Sequence, residues 1–225
     1  MASTLALPTP FGVLWDLDGT IVDTGNFHYQ SWEQALPEFG IPFSPEKFQR
    51  TFGMTNEGVL AVFTDGQADP ALVEAVAERK EALFRDLLRG NVNALPGVMD
   101  WLTRLHDAGA AQALASSAPP ANIDLMLDEL TLRPYFAAVV SGTGLPSKPD
   151  PAVFLRAAER IGVAPSQCVV MEDALAGVGA AKNAGMRCIA VATTNPAEAL
   201  RAADIVVERL DQLDAESFQR LLDGA

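Results

Sequence analysis

Asp16 and Asp18 stand two residues apart at the end of an apolar run, in Trp15-Asp16-Leu17-Asp18-Gly19-Thr20. A turn accounts for Asp18-Gly19. It does not account for Asp16, which closes the short buried strand expected over 11–15. Two carboxylates this close repel by several kcal/mol at an effective dielectric of about 20, and a bound cation or a raised pKa is the usual relief. Either outcome makes both residues candidates for catalysis.

Three further positions carry groups of complementary chemistry. Ser116-Ser117 ends an apolar run and precedes a helical pattern, so its hydroxyls and N–H groups could hold an anion or simply cap the helix. Lys148 lies in the proline-stiffened Ser147-Lys148-Pro149-Asp150-Pro151, either reaching an anion or standing solvated. Glu172-Asp173 follows the apolar 168–170, as a helix cap and dipole partner or as metal ligands. Together they outweigh their separate readings. Asp16, Asp18, Glu172 and Asp173 converging at one place would need a divalent cation, and hard oxygen donors favour Mg²⁺. Ser116 and Lys148 would then grip a phosphate.

Convergence depends on the elements between these residues. Strands are expected over 11–15, 112–116, 137–141, 168–171, 188–192 and 204–207. Helices are expected over 97–108, 120–130, 151–161 and 175–184, and from Ala215 onward. That alternation predicts an α/β fold with a Rossmann-like parallel sheet, in which chemistry gathers beyond the carboxyl ends of the strands. Residues 24–93 break the alternation with helical periodicity only, including helices over 26–39 and 70–89. The expected organisation is a catalytic core of 1–23 and 94–225 with an inserted α-helical cap domain of 24–93.

With 49% hydrophobic residues among 225, the chain can bury a sizeable core. Sixteen basic against 29 acidic residues, net −13, argue against nucleic acid or an anionic membrane as partner. Apolar runs far shorter than ~18 residues and an N-terminus without signal-peptide features point to a soluble, cytoplasmic protein, expected as a monomer. Cys168 and Cys188 sit in strand-like apolar runs and read as core residues. Gly177-Val178-Gly179 begins like a dinucleotide fingerprint but lacks the third glycine and falls inside a helix.

The four motifs in this order resemble the haloacid dehalogenase superfamily along essentially the whole chain. The stretch 16–24 with His28 and Trp32 is most similar to the subgroup of β-phosphoglucomutase and small sugar phosphatases. The resemblance implies Asp16 as nucleophile, forming an aspartyl-phosphate, and Asp18 as acid/base. It implies Ser116 and Lys148 at the transferring phosphoryl group. Mg²⁺ would sit on Asp16, Asp18 through its backbone carbonyl, Asp173 and Glu172, the last directly or through water. Thr20, His28, Ser117 and Lys80 would meet the substrate, with the cap closing over it.

Departures narrow the activity. Phe52 and Asn56 fall where a β-phosphoglucomutase holds a second phosphate with basic residues, although Arg50 and the helical pair Arg79-Lys80 could compensate. Asn122 is displaced relative to the polar spot after Ser116. A mutase must hold a bisphosphate in two orientations. The expected activity is therefore Mg²⁺-dependent hydrolysis of a small phosphorylated metabolite, a sugar phosphate first. The retained His28 keeps a phosphosugar mutase as the alternative. Dehalogenation has no use for Asp18, and a non-catalytic relic would be expected to lose one of Asp16, Asp18, Lys148 or Asp173.

Overall fold

In chain order the elements are β1 (Gly12–Trp15), α1 (Gly25–Glu38), α2 (Pro45–Thr51), α3 (Asn56–Phe63), α4 (Pro70–Leu88), α5 (Val98–Asp107), β2 (Ala111–Ser116), α6 (Pro120–Glu129), β3 (Ala138–Ser141), α7 (Ala152–Ile161), β4 (Cys168–Glu172), α8 (Leu175–Asn183), β5 (Arg187–Val191), β6 (Ile205–Val207) and α9 (Ala215–Asp223). This is a computed structural model, and it describes residues 5–51 and 54–223. The chain divides into two compact units, Met1–Asp23 with Asn93–Ala225, and Thr24–Val92.

The first unit is α/β. Its strands run β3-β2-β1-β4-β5-β6, and every pairing is parallel. From β1 the chain steps outward through β2 and β3, then returns to the opposite flank of β1 with β4. The direction of winding therefore reverses at β1 and β4, where an open parallel sheet leaves a crevice at its carboxyl edge. Trp15 is in register with Leu114 on one side and Met171 on the other, so Asp16, Ser116 and Glu172 all come to that edge.

Buried parallel strands need apolar side chains on both faces. Leu14, Val170 and Cys188 pack with Phe154 and Ala157 of α7 and Val178 and Ala181 of α8 in one buried cluster. At Trp15 the sheet is tied to α5: Trp15 Nε1 donates to Gln112 Oε1 at 3.0 Å, and Gln112 Nε2 donates to the Leu102 carbonyl at 2.9 Å. Burying the two polar side chains is tolerated because each finds its partner. Both cysteines are buried, and burial pushes the Cys168 thiol up to about 11.

The second unit is helical. Asp69 accepts from the Leu72 N–H at 2.8 Å and Pro70 opens α4, the combination expected of a helix start. Trp32 and Leu36 of α1, Phe48 of α2, Val59, Leu60 and Phe63 of α3 and Val76 of α4 form its core. Helices α2 and α3 were not expected. Each spans only about two turns, too short for helical periodicity to stand out, and the tertiary packing of Phe48, Leu60 and Phe63 supplies what propensity alone would not. The expected β4 also gains a residue, which places Glu172 inside the strand rather than after it.

Candidate active site

Asp16 leaves β1 with its backbone still paired, its N–H donating to the Met171 carbonyl of β4 at 3.0 Å. Its carboxylate faces Lys148, whose Nζ lies 2.5 Å from Asp16 Oδ1 and 2.7 Å from Glu172 Oε1. All three side chains are nearly buried, and the Lys148 ammonium also lies 4.7 Å from the centre of the Phe154 ring. The second Glu172 oxygen accepts from the N–H groups of Asp173 and Ala174, each at 2.7 Å. Glu172 thus fixes Lys148 with one oxygen and the turn before α8 with the other.

Carboxylate oxygens of Asp16, Glu172 and Asp173 lie within 4.8 Å of one another. Three buried acids against one lysine leave the cluster short of positive charge, and an all-oxygen donor set suits a hard divalent cation. Burial raises the Asp16 carboxyl well above the carboxylate range, Lys148 opposes the rise, and Glu172, Asp173 and Asp18 add to it. Burial and then the Glu172 charge push Asp173 up to about 7. Burial works to lower the Lys148 pKa, but Asp16 and Glu172 hold it above its ordinary value, so the lysine stays charged. A site that strains its acids toward protonation is one that a metal ion would relieve.

The carboxylate of Asp18 stands outside that set of three, although its charge acts on both Asp16 and Asp173. Beyond it, Gly19 adopts φ +81° and its N–H donates to the Val22 carbonyl at 2.7 Å, turning the chain sharply. Thr20, expected at the substrate, is fully buried instead, and its hydroxyl donates to Asp173 Oδ1 at 3.3 Å. Ser116 is buried at the end of β2 with its Oγ accepting from the Ala118 N–H at 3.0 Å, while Ser117 is exposed.

His28 and Lys80 both belong to the helical unit. Lys80 is not on a solvated helix face: its side chain is 2% exposed, with Nζ 2.8 Å from Glu81 Oε1 and 2.9 Å from His28 Nδ1. Asn56 Nδ2 donates to the same Glu81 oxygen at 3.0 Å, and His28 stacks on Phe84 with ring centres 4.2 Å apart. Arg79 does face outward, in a bidentate pair with Glu38. Phe52 lies outside the described residues.

Sequence reasoning missed Glu81, Gly177, Thr194 and Asn195. The last two follow β5 as Thr193-Thr194-Asn195-Pro196, and the strand-end rule that picked out Ser116 would have found them. Gly177 belongs to the run that begins like a dinucleotide fingerprint, but its bare Cα is what admits the Glu172 carboxylate.

Residues 13–191 match the family model described as haloacid dehalogenase-like hydrolase. The chain belongs to that family. It is similar to the β-phosphoglucomutase of Bacillus subtilis (strain 168), 33% identical over 214 residues that cover 91% of this chain and 92% of the relative. It is 29% identical over 215 residues to the chloroplastic 5-amino-6-(5-phospho-D-ribitylamino)uracil phosphatase of Arabidopsis thaliana, covering 94% of this chain but only 58% of that longer protein. Among solved structures, β-phosphoglucomutase from Clostridium difficile superposes with a TM-score of 0.84 at 25% identity, covering 96% of this chain and 98% of that one. The resemblance to the β-phosphoglucomutase and sugar-phosphatase subgroup is thereby borne out, and the chain is an enzyme of this family. Among the described residues no helix is long and apolar enough to cross a membrane.

Proposed function

We propose that this enzyme is a Mg²⁺-dependent phosphatase of a small phosphorylated metabolite, a sugar phosphate first, working through a phosphoaspartyl form of Asp16. The observation that carries the reading is the buried Asp16 carboxylate held by Lys148 beside the Glu172 and Asp173 carboxylates. An oxygen of Asp16 attacks phosphorus as the bond to the substrate oxygen breaks, and Asp18 gives its proton to the departing alkoxide. Asp18 then takes a proton from water, whose oxygen attacks the phosphoaspartate and releases inorganic phosphate with Asp16 restored. Splitting the displacement in two and relaying the proton through one positioned acid are together standard sources of acceleration.

Lys148 and Ser116, with Ser117 beside it, would bind the transferring phosphoryl group. Mg²⁺ would be held by Asp16, Asp173, the Asp18 backbone carbonyl and Glu172, and would neutralise charge gathering on the phosphoryl oxygens. His28 and Lys80 are proposed to meet the rest of the substrate. The net charge of −13 supports a small-molecule substrate over nucleic acid or an anionic membrane, and the reading is of a cytoplasmic monomer.

Likeness to β-phosphoglucomutases, together with His28, favours a phosphosugar mutase as second reading. The Glu81 carboxylate supports hydrolysis instead. It balances the Lys80 charge, and Asn56 donates an amide to it where a mutase would carry a base, so the helical unit lacks a surplus of positive charge there for a second phosphate.

The deciding experiment measures inorganic phosphate release from sugar and nucleotide monophosphates, with and without Mg²⁺, beside Asp16→Asn. Mg²⁺-dependent turnover that Asp16→Asn loses by about 10⁴-fold or more is expected for a covalent nucleophile. Conversion of β-glucose 1-phosphate to glucose 6-phosphate faster than phosphate release would overturn it in favour of the mutase.

A further inference from the structure

The loop after β5 has no part in the roles assigned so far, yet two of its side chains converge on Asp173. Asn195 Nδ2 donates to the Asp173 backbone carbonyl at 3.2 Å, and Thr194 Oγ1 lies beside the Asp173 carboxyl group next to Gly19. From the opposite side of the sequence Thr20 Oγ1 reaches Asp173 Oδ1 at 3.3 Å. Room for this arrangement comes from Gly19. A Cβ there would overlap Asp173 Oδ2 and come within 2.6 Å of Thr194 Oγ1.

We propose that Thr194 and Asn195 are positioning residues for the metal-binding carboxylate, holding Asp173 toward Asp16 and Glu172 before any metal arrives. The inference rests on the metal reading of the preceding subsection and adds to it the residues that orient the ligand. The physical reason is repulsion. Asp173 is 2% exposed and sits among like charges, so a free rotamer would swing it away from Asp16 and Glu172, and the ordering cost would fall on metal binding. The Thr20 hydroxyl on the carboxyl group, Thr194 packed beside it and the Asn195 amide on the main chain restrict that freedom in advance. Hydrogen-bond partners that orient a metal ligand are typically worth 10- to 100-fold in metal affinity.

Thr194→Val keeps the shape and removes the hydroxyl. The measurement is the midpoint of the rise in melting temperature as Mg²⁺ is titrated into substrate-free protein, compared with the wild type. The midpoint is expected to move to about 10-fold higher Mg²⁺ in Thr194→Val, and to return to within about twofold of wild type in Thr194→Ser. Asn195→Ala is expected to act in the same direction, and it decides the question if Thr194→Val does not fold. Wild-type midpoints in both variants would overturn the positioning role and leave the metal reading standing. A wild type with no response to Mg²⁺ would overturn the metal reading itself.

Discussion

Gly177 and Glu172 occupy the same space: a Cβ on Gly177 would fall inside the Glu172 carboxyl group. The missing side chain on α8 is what lets Glu172 reach the Lys148 ammonium at 2.7 Å while accepting the N–H groups of Asp173 and Ala174. The helix therefore forgoes some helix propensity at a first-turn glycine in favour of the site.

Gly177→Ala should reverse the ordinary sign of a glycine-to-alanine change within a helix. The displaced Glu172 carboxylate would release Lys148 and the turn before α8. Phosphate release is expected to fall by about 10²-fold, the usual cost of misplacing reacting groups by about 1 Å, and the melting temperature should drop rather than rise. An alanine variant that is more stable and equally active would show that Glu172 has room elsewhere.

Asp173 predicts how metal and pH interact. Without metal its folded pKa of about 7 lies above the ordinary 3.8, so the folded state keeps a proton that the unfolded chain has given up. Its contribution is therefore favourable only at low pH, and stability falls as pH rises from about 4 through 7, by an amount on the order of a few kcal/mol. On the proposed metal reading, a bound cation would take the place of that proton. The rise in melting temperature produced by Mg²⁺ should then be larger at pH 8 than at pH 5.5 by about 5 °C or more. Equal shifts at the two pH values would mean that Asp173 is not a ligand.

Lys80 and Glu81 form a buried pair whose halves should be unequal to the whole. Glu81→Gln leaves an ammonium that is 2% exposed without the carboxylate 2.8 Å away, and is expected to cost about 3–5 kcal/mol in denaturant unfolding. Lys80→Met combined with Glu81→Leu should recover most of that loss, because apolar side chains of similar volume avoid the desolvation that both charges incur. A single variant within 1 kcal/mol of wild type would contradict the pairing.

The sequence by itself determined the order of strands and helices in the α/β unit and the carboxyl-edge location of Asp16, Ser116, Lys148, Glu172 and Asp173. These are local properties. An apolar run ending in a polar residue marks a strand end whatever lies beside it, and parallel winding carries all such ends to one edge. Tertiary structure alone decided that Thr20 turns its hydroxyl to Asp173, that Gly177 makes space for Glu172, and that Asn195 bonds the Asp173 carbonyl, with Thr194 beside its carboxyl group, from a loop some twenty residues away. It also decided that Lys80 is buried, because α1 and α4 bring Trp32, His28 and Phe84 around it. Helical periodicity shows which residues share a face but not which charged face another helix will cover. That depends on contacts between residues far apart in the chain, and those are set by packing.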